Sequence, residues 1–176
     1  MVTVRLTTWV NAPVDRCFRL ATCAQLHALG GPASEVLSTR SQALQVGDTI
    51  SWQASQWGLH LAHTCRINEV RPNSYFREEM VSGGFRHYVH EHHFAPMDDG
   101  TRMRDEVRFS APMGPMGGVA ERLLLKKYVM KLLIQQHMQV KRAAESVEWQ
   151  AFLHGEQDAD PAPEDHARIT EMQRFA

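Results

Sequence analysis

The stretch Pro112–Gln150 decides the fold, and it reads PMGPMGGVAERLLLKKYVMKLLIQQHMQVKRAAESVEWQ. Its first seven residues contain three glycines and two prolines, which break regular structure. From Val119 to Gln150 there is no proline or glycine, and Leu, Lys, Met, Gln and Ala dominate. These residue types favour a helix. About 32 residues at a rise of 1.5 Å each predict one helix of about 48 Å, long enough to cross a small sheet.

The first half of this predicted helix is apolar over an unusually wide arc. Two arrangements explain that breadth: the helix packs across a curved sheet, or it also pairs with a second copy in a homodimer. Packing on a sheet is the simpler of the two. The apolar positions are Leu123, Leu124, Leu125, Val129, Leu132, Leu133 and Ile134.

The region before the helix, from Ser34 to Ala111, breaks into segments of strand length. Short turns rich in Gly, Pro, Asn, Asp and Ser separate them. Such short connections favour antiparallel neighbours, so we expect a curved sheet with one polar face and one face turned to a core or cavity. The six predicted strands are Val36–Thr39, Thr49–Trp57, Leu59–Val70, Tyr75–Val81, Phe85–Ala95 and Thr101–Ala111.

A further strand opens the chain, because apolar and polar side chains alternate over Val2–Val10. Pro13 then suits the first turn of a short helix, and Thr22 suits the N-cap of a second one that reaches His27. The predicted fold class is therefore α+β. It has a seven-stranded curved antiparallel sheet, two short helices after the first strand and one long C-terminal helix.

Composition places the chain among ordinary globular proteins, with 43% hydrophobic and 22% charged residues. We expect one domain over residues 1–150 and an acidic, proline-containing tail over 151–176, in which Ala167–Phe175 has the spacing of a short helix. A formal net charge of −1 argues against nucleic acid as a partner. No apolar run is long enough for stable membrane insertion. Three cysteines without a CxxC pair favour reduced, structural thiols and a cytoplasmic location.

The strand Phe85–Ala95 contains four histidines. Side chains alternate between the two faces of a strand, so His90 and His92 share one face. On the following strand, Asp105 belongs to an otherwise apolar set and therefore points inward, whereas its immediate neighbours are charged. Alternation alone leaves open which face of the histidine strand points inward. The four histidines are His87, His90, His92 and His93, and the apolar partners of Asp105 are Met103, Val107 and Phe109.

The order of elements resembles the START-like superfamily, also called SRPBCC, whose best-known members include a major pollen allergen. Within it, the chain is similar to small bacterial proteins of the polyketide cyclase/dehydrase-like or ligand-binding kind. The motifs that carry the resemblance are Phe76–Glu79, Gly84-Phe85, His90–Phe94, Gly100-Thr101 with Asp105, and Pro112–Gly117 at the start of the long helix. The resemblance covers residues 1–150. Such proteins typically have an arginine late in that helix, where this chain has His137.

The resemblance implies a helix-grip fold with an internal cavity for lipids or for aromatic and polycyclic compounds. It also implies that His90, His92, Phe76, Glu78 and Met80 point inward. A carboxylate buried among apolar groups must be partnered or protonated, and a histidine is its natural partner. Three roles remain for the polar set: a structural network, the polar end of a ligand cavity, or a metal site. We favour the structural network and expect neither a metal nor another cofactor.

The favoured function is binding or transport of a small hydrophobic ligand in a cavity of roughly 300 to 1,000 Å³. An enzyme, a cyclase, dehydratase or related lyase, is the less favoured alternative, with His90, His92 and Asp105 as its catalytic groups. A third class is a regulatory or assembly module that uses the long helix and the tail. The predicted ligand-binding residues are Trp52, Phe76, Glu78, Met80, Tyr88, His90, His92, Phe94, Met103, Phe109, Leu125 and Val129.

Overall fold

A computed structural model describes residues 1–29, 34–38, 43–56, 59–110 and 119–153 of the chain. Within these residues there are seven strands and four helices, and all of them except the last short helix follow the predicted order. They are β1 Val2–Val10, α1 Val14–Thr22, α2 Ala24–Leu29, β2 Ser34–Ser38, β3 Thr49–Gln56, β4 Leu59–Arg71, β5 Tyr75–Gly83, β6 His87–Met97, β7 Gly100–Ser110, α3 Val119–Glu145 and α4 Trp149–Leu153. The predicted fold class is confirmed.

All seven strands form one sheet in the order β1-β7-β6-β5-β4-β3-β2, with every pair antiparallel. Strands that follow one another in sequence are neighbours from β2 to β7, and short turns connect β4 to β5, β5 to β6 and β6 to β7. The first strand instead pairs with the last, so β1 and β2 lie at opposite edges. The helices α1 and α2 lie between β1 and β2 in the chain, and α1 contacts β6 and β7 whereas α2 contacts β2.

Helix α3 packs along the inner face of the sheet, most extensively beside β1. Its side chains Leu125, Val129 and Leu133 are buried against Val107 and Phe109 of β7. Other apolar side chains of the same helix are exposed, so the sheet buries only part of the wide apolar arc that the sequence showed. They are Leu123, Leu124, Ile134 and Met138. A homodimer through this surface stays a prediction.

The predicted helix Val119–Gln150 is two helices, so its length was overestimated. Ser146 ends α3, and its hydroxyl accepts a hydrogen bond from the backbone N–H of Glu148 at 3.1 Å. A serine hydroxyl competes with helical backbone bonding and favours caps, which explains a break without proline or glycine. The short helix α4 then turns back and buries Leu153 in the cluster that contains Cys17 and Phe18 of α1.

Thr22 ends α1 and does not cap α2 as expected. Its hydroxyl donates to the carbonyl oxygen of Phe18 at 3.0 Å, one turn earlier in the same helix. Cys23 is extended and separates the two helices. All three cysteines are buried and none forms a disulfide. In the described residues, no helix is both long and apolar enough to cross a bilayer.

Candidate functional site

The centre of the inner sheet face is a histidine held between two carboxylates. Glu78 on β5 lies directly opposite His90 on β6, and Asp105 approaches His90 from β7. The ring atom Nδ1 of His90 is 2.9 Å from Glu78 Oε1, and Nε2 is 2.9 Å from Asp105 Oδ2. All three side chains are at most 2% exposed. Because ionised carboxylates only accept hydrogen bonds, both ring nitrogens donate and His90 is an imidazolium in the absence of any other cation.

The pKa values of the three groups agree with this arrangement. Burial opposes the charged form of His90, but the hydrogen bonds to Asp105 and Glu78 raise its pKa to about 9. Burial also opposes the carboxylate of Glu78, yet bonding to His90 and the nearby His92 lowers its pKa. The pKa of Asp105 is likewise well below its usual value despite burial, because His92 and His137 are close. The cluster is therefore ionic.

Asp105 Oδ2 is the point on which three histidines converge. Besides His90, His92 approaches it with Nδ1 at 2.9 Å and His137 approaches it with Nε2 at 3.1 Å. The other nitrogen of His137 is 2.8 Å from the hydroxyl of Thr8. The ring of His92 stacks on Phe76, with centroids 3.8 Å apart. Each imidazole is thus held on more than one side.

Several atoms of this cluster retain unused bonding capacity. Among the described residues, no hydrogen-bond partner is found for four buried atoms of the cluster, Glu78 Oε2, His92 Nε2, Asp105 Oδ1 and His137 Nε2, so the approach of His137 to Asp105 is an ion-pair contact without hydrogen-bond geometry. The same is true of His63 Nδ1 on β4. Buried polar atoms are nearly always bonded in folded proteins, so an unpartnered group marks a place for water, an ion or a ligand.

A cavity of about 30 Å³ lies between this cluster and α3. Its polar end is formed by Glu78, His90 and His63, and its remaining wall is mainly aromatic or aliphatic. The volume suits one or two water molecules and is far below the expected 300 to 1,000 Å³. The α3 side chains pack down onto the sheet and close the space. The other lining residues are Phe85, Tyr88, Tyr128, Val129, Leu132, Leu133 and Gln136.

The predicted ligand-binding residues lie in three places. Glu78, Tyr88, His90 and Val129 line the cavity. Phe109 and Leu125 are buried in the sheet–helix core nearby, and Met80 packs half-buried against it. The side chain of Trp52 and the loop over 112–118 lie outside the described residues.

A second group of predicted ligand-binding residues packs elsewhere. Phe76, Phe94 and Met103 lie in the cluster around α1 and do not line the cavity, because α1 covers that end of the sheet. The ring of Phe18 on α1 meets Phe76 and Phe94 edge-on, at 6.2 and 5.4 Å between centroids. His92 and Asp105 lie behind His90 and are not part of the lining.

Sequence reasoning missed His63, which lines the cavity from β4. It is 8% exposed, and its ring contacts those of Tyr88 and Phe85, with centroids 5.1 and 5.8 Å away. Burial lowers its pKa, so the imidazole is neutral at pH 7. A signal existed in strand alternation, since His63 shares its face with Cys65 and Ile67, both fully buried.

Comparison with known proteins agrees with the fold. The chain is similar to the protein TTHA0849 of Thermus thermophilus, with 21% identity and a TM-score of 0.66 over 81% of this chain and 99% of that one. It is also similar to the Zhui aromatase/cyclase of Streptomyces sp. R1128, with 18% identity and a TM-score of 0.67 over 88% and 98% of the two chains. A START superfamily protein of Mycobacterium smegmatis shares 12% identity, with a TM-score of 0.63 over 82% and 98%.

These identities are low, so the structural similarities establish the fold alone. No curated protein matches the sequence. The family model described as "Polyketide cyclase / dehydrase and lipid transport" matches residues 10–133, which is more than half of the chain. The protein therefore belongs to the polyketide cyclase/dehydrase and lipid transport family.

Proposed function

We propose that the protein binds or carries a small, largely apolar ligand with one hydrogen-bonding group, in the space between the inner sheet face and α3. The observation that carries this proposal is the asymmetry of the cavity wall. Mainly aromatic and aliphatic side chains line it, and its charged and imidazole groups lie together at one end, where Glu78 Oε2 and His63 Nδ1 have no partner among the described residues. Ligand sites are typically apolar with a few convergent polar groups of this kind.

The polar end selects for a ligand that donates a hydrogen bond. Glu78 is ionised, so its Oε2 accepts from a hydroxyl or amine group. His63 is neutral, and its Nδ1 bonds a second polar atom of the ligand or a bridging water. A ligand without a donor leaves a buried carboxylate oxygen unpaired, which costs about 1 to 3 kcal/mol or more.

A binder or carrier is favoured over an enzyme by the state of His90. Both of its ring nitrogens bond carboxylates, and its pKa of about 9 keeps the proton on the ring at pH 7. A general base must take up a proton in the reaction, and the most effective ones have a pKa near the working pH. His90 is therefore not poised to act as a general base, and in this proposal it orients Glu78.

Ligand entry requires the cavity to expand, because about 30 Å³ holds only water. The movable wall is α3, whose residues Val129, Leu132 and Leu133 face the sheet. Leu133 is 2% exposed, whereas the next residue, Ile134, is 45% exposed on the outer side of the helix. These neighbours give a matched pair for a test.

The test is titration with the fluorescent amine 1-aminoanthracene in buffer with EDTA. We expect saturable binding of one dye per chain, weakened at least tenfold by Leu133→Trp, which fills the cavity, and unchanged by Ile134→Trp. Glu78→Gln should reduce the preference for 1-aminoanthracene over anthracene. Native mass spectrometry followed by denaturing extraction identifies any copurified ligand. Absence of saturable binding to the wild type, or equal binding by Leu133→Trp at unchanged melting temperature, contradicts the proposal.

The second candidate is a cyclase or dehydratase-like enzyme, and the observation that favours it is His63. A buried neutral imidazole with an unpartnered nitrogen at a cavity wall has the properties of a general base. This role differs from the one expected for His90 and His92. If the copurified compound is converted during incubation and His63→Gln stops conversion without preventing binding, the protein is an enzyme.

A further inference from the structure

Three buried side chains bring one possible metal ligand each to a common point. Glu78 Oε1 is 2.9 Å from His90 Nδ1 and 3.9 Å from His92 Nε2, and each of the three side chains offers one ligand atom within 4.8 Å of the other two. Ligands bonded at 2.0 to 2.1 Å in tetrahedral geometry lie about 3.3 Å apart. Small shifts of these side chains therefore bring the three ligand atoms to the spacing that a bound metal ion requires. We infer that Glu78, His90 and His92 bind one divalent transition-metal ion of the Zn²⁺ type.

The ring nitrogens of His90 and His92 that would not bind the metal also support this inference. His90 Nε2 and His92 Nδ1 are each 2.9 Å from the same atom, Asp105 Oδ2. A histidine that binds metal almost always donates its other N–H to a carboxylate, carbonyl or water, which sets the tautomer. Asp105 accepts from both rings and so directs the lone pairs of His90 Nδ1 and His92 Nε2 toward Glu78.

Asp105 is itself held in position from the helix side. His137 of α3 is 3.1 Å from Asp105 Oδ2 and is fixed in turn by the hydroxyl of Thr8. Supporting groups of this kind orient the residues that bind the metal. Asp105 and His137 are therefore positioning residues in this proposal, and the three ligands are Glu78, His90 and His92.

Unpaired atoms and charge point to the same site. His92 Nε2 and Glu78 Oε2 are buried without a hydrogen-bond partner in the described residues, and both belong to the ligand side chains. Glu78 and Asp105 together place two negative charges in the interior. One divalent cation with neutral imidazoles makes the cluster neutral. Buried charges in proteins are paired or bind metals.

The site has room for one further ligand. Glu78 and His90 line the cavity, so an ion bound there is reached from that side. Three protein ligands with an open position are typical of zinc sites that bind a water or a substrate atom. The open position takes an oxygen donor, such as water, a hydroxyl or a carbonyl. Metal binding does not depend on the proposed apolar ligand and is measured without it.

The test uses full-length protein without a histidine tag, stripped with EDTA and dialysed. Calorimetric titration with ZnCl₂ should give one ion per chain with a Kd below about 1 μM, and CoCl₂ should produce visible d–d absorption. Replacing an outer partner of a metal ligand typically weakens metal binding by 10 to 100-fold, which we expect for Asp105→Asn. Glu78→Gln and His92→Gln remove a ligand directly and should weaken binding by about 100-fold or more.

His93→Ala is the control, because His93 is on the same strand but its side chain is on the opposite face. This variant should bind zinc like the wild type. A loss of zinc binding in it would show that the ion binds adventitiously to partly exposed histidines. The inference is overturned if the wild type takes up no zinc and shows no cobalt absorption. It is also overturned if Glu78→Gln and His92→Gln bind like the wild type, or if His93→Ala loses the ion. If a ligand variant fails to fold, the cobalt spectrum of the wild type still tests the inference.

Discussion

Replacing Asp105 with asparagine tests whether the buried cluster is ionic. The substitution keeps the shape of the side chain and removes the charge that three histidine nitrogens approach, at 2.9, 2.9 and 3.1 Å. A hydrogen bond to a charged group contributes about 1.5 to 3 kcal/mol, against about 0.5 to 1.5 kcal/mol for a neutral one. A loss of about 1 kcal/mol at each contact predicts a decrease of about 3 kcal/mol in the free energy of unfolding.

The assay is urea unfolding followed by tryptophan fluorescence, with EDTA present so that no metal contributes. In a protein of this size, about 3 kcal/mol also lowers the melting temperature by roughly 6 to 12 °C. Glu106→Gln is the matched control, since Glu106 is the next residue on β7 and its partners Arg5 and Arg104 have side chains that are 60% and 48% exposed. An exposed pair contributes at most about 1 kcal/mol. Equal losses in the two variants would refute the ionic interpretation.

Two further predictions concern pH and backbone geometry. In EDTA, the free energy of unfolding should fall by about 2 kcal/mol from pH 7 to 8.5, because the pKa of His90 is raised to about 9: the stability it contributes is complete below pH 6.5 and is lost as pH rises through 9. His90→Gln should abolish this pH dependence. If the stability of the wild type does not fall over this range, the ion pairs of His90 are contradicted. Gly100→Ala should cost at least about 2 kcal/mol, because φ is +154° and an added Cβ would clash with the Val10 carbonyl oxygen. Gly47→Ala is the control, because Gly47 has φ +97° but an added Cβ there meets no other atom; it should cost only about 1 kcal/mol. Equal costs for the two variants would show that the backbone moves to relieve the clash at Gly100.

The order of elements was predictable because strand alternation and turn residues act locally. Val2–Val10 was predicted with its observed bounds, and Asp105 was placed inward by its apolar neighbours at alternate positions. The break at Ser146 was not predictable from helix-breaking residues. It depends on one hydroxyl bonding the backbone, and on the burial of Leu153 against α1, which is a tertiary contact.

Alternation placed Asp105 inward, the resemblance implied the same for His90, His92 and Glu78, and a histidine partner for the buried carboxylate was expected, but which carboxylate each histidine contacts was not predicted. Alternation assigns a side chain to a face, whereas contact between Glu78 and His90 depends on the register between β5 and β6. The role of His137 required knowing how α3 crosses β1, which brings it to Thr8. His63 was overlooked because alternation places it on the face of Cys65 and Ile67 but does not show that this face borders a cavity.

The pairing of β1 with β7 affects how the chain is synthesised. Val2 lies opposite Phe109, so the first strand has no partner until more than a hundred residues have been made. At 5 to 20 residues per second, that interval is about 5 to 20 s on the ribosome. During it, an alternating strand with unpaired backbone groups can associate with other chains. Closure of the sheet is therefore a late, long-range step, and β1 stays unpaired on the nascent chain until β7 has been made.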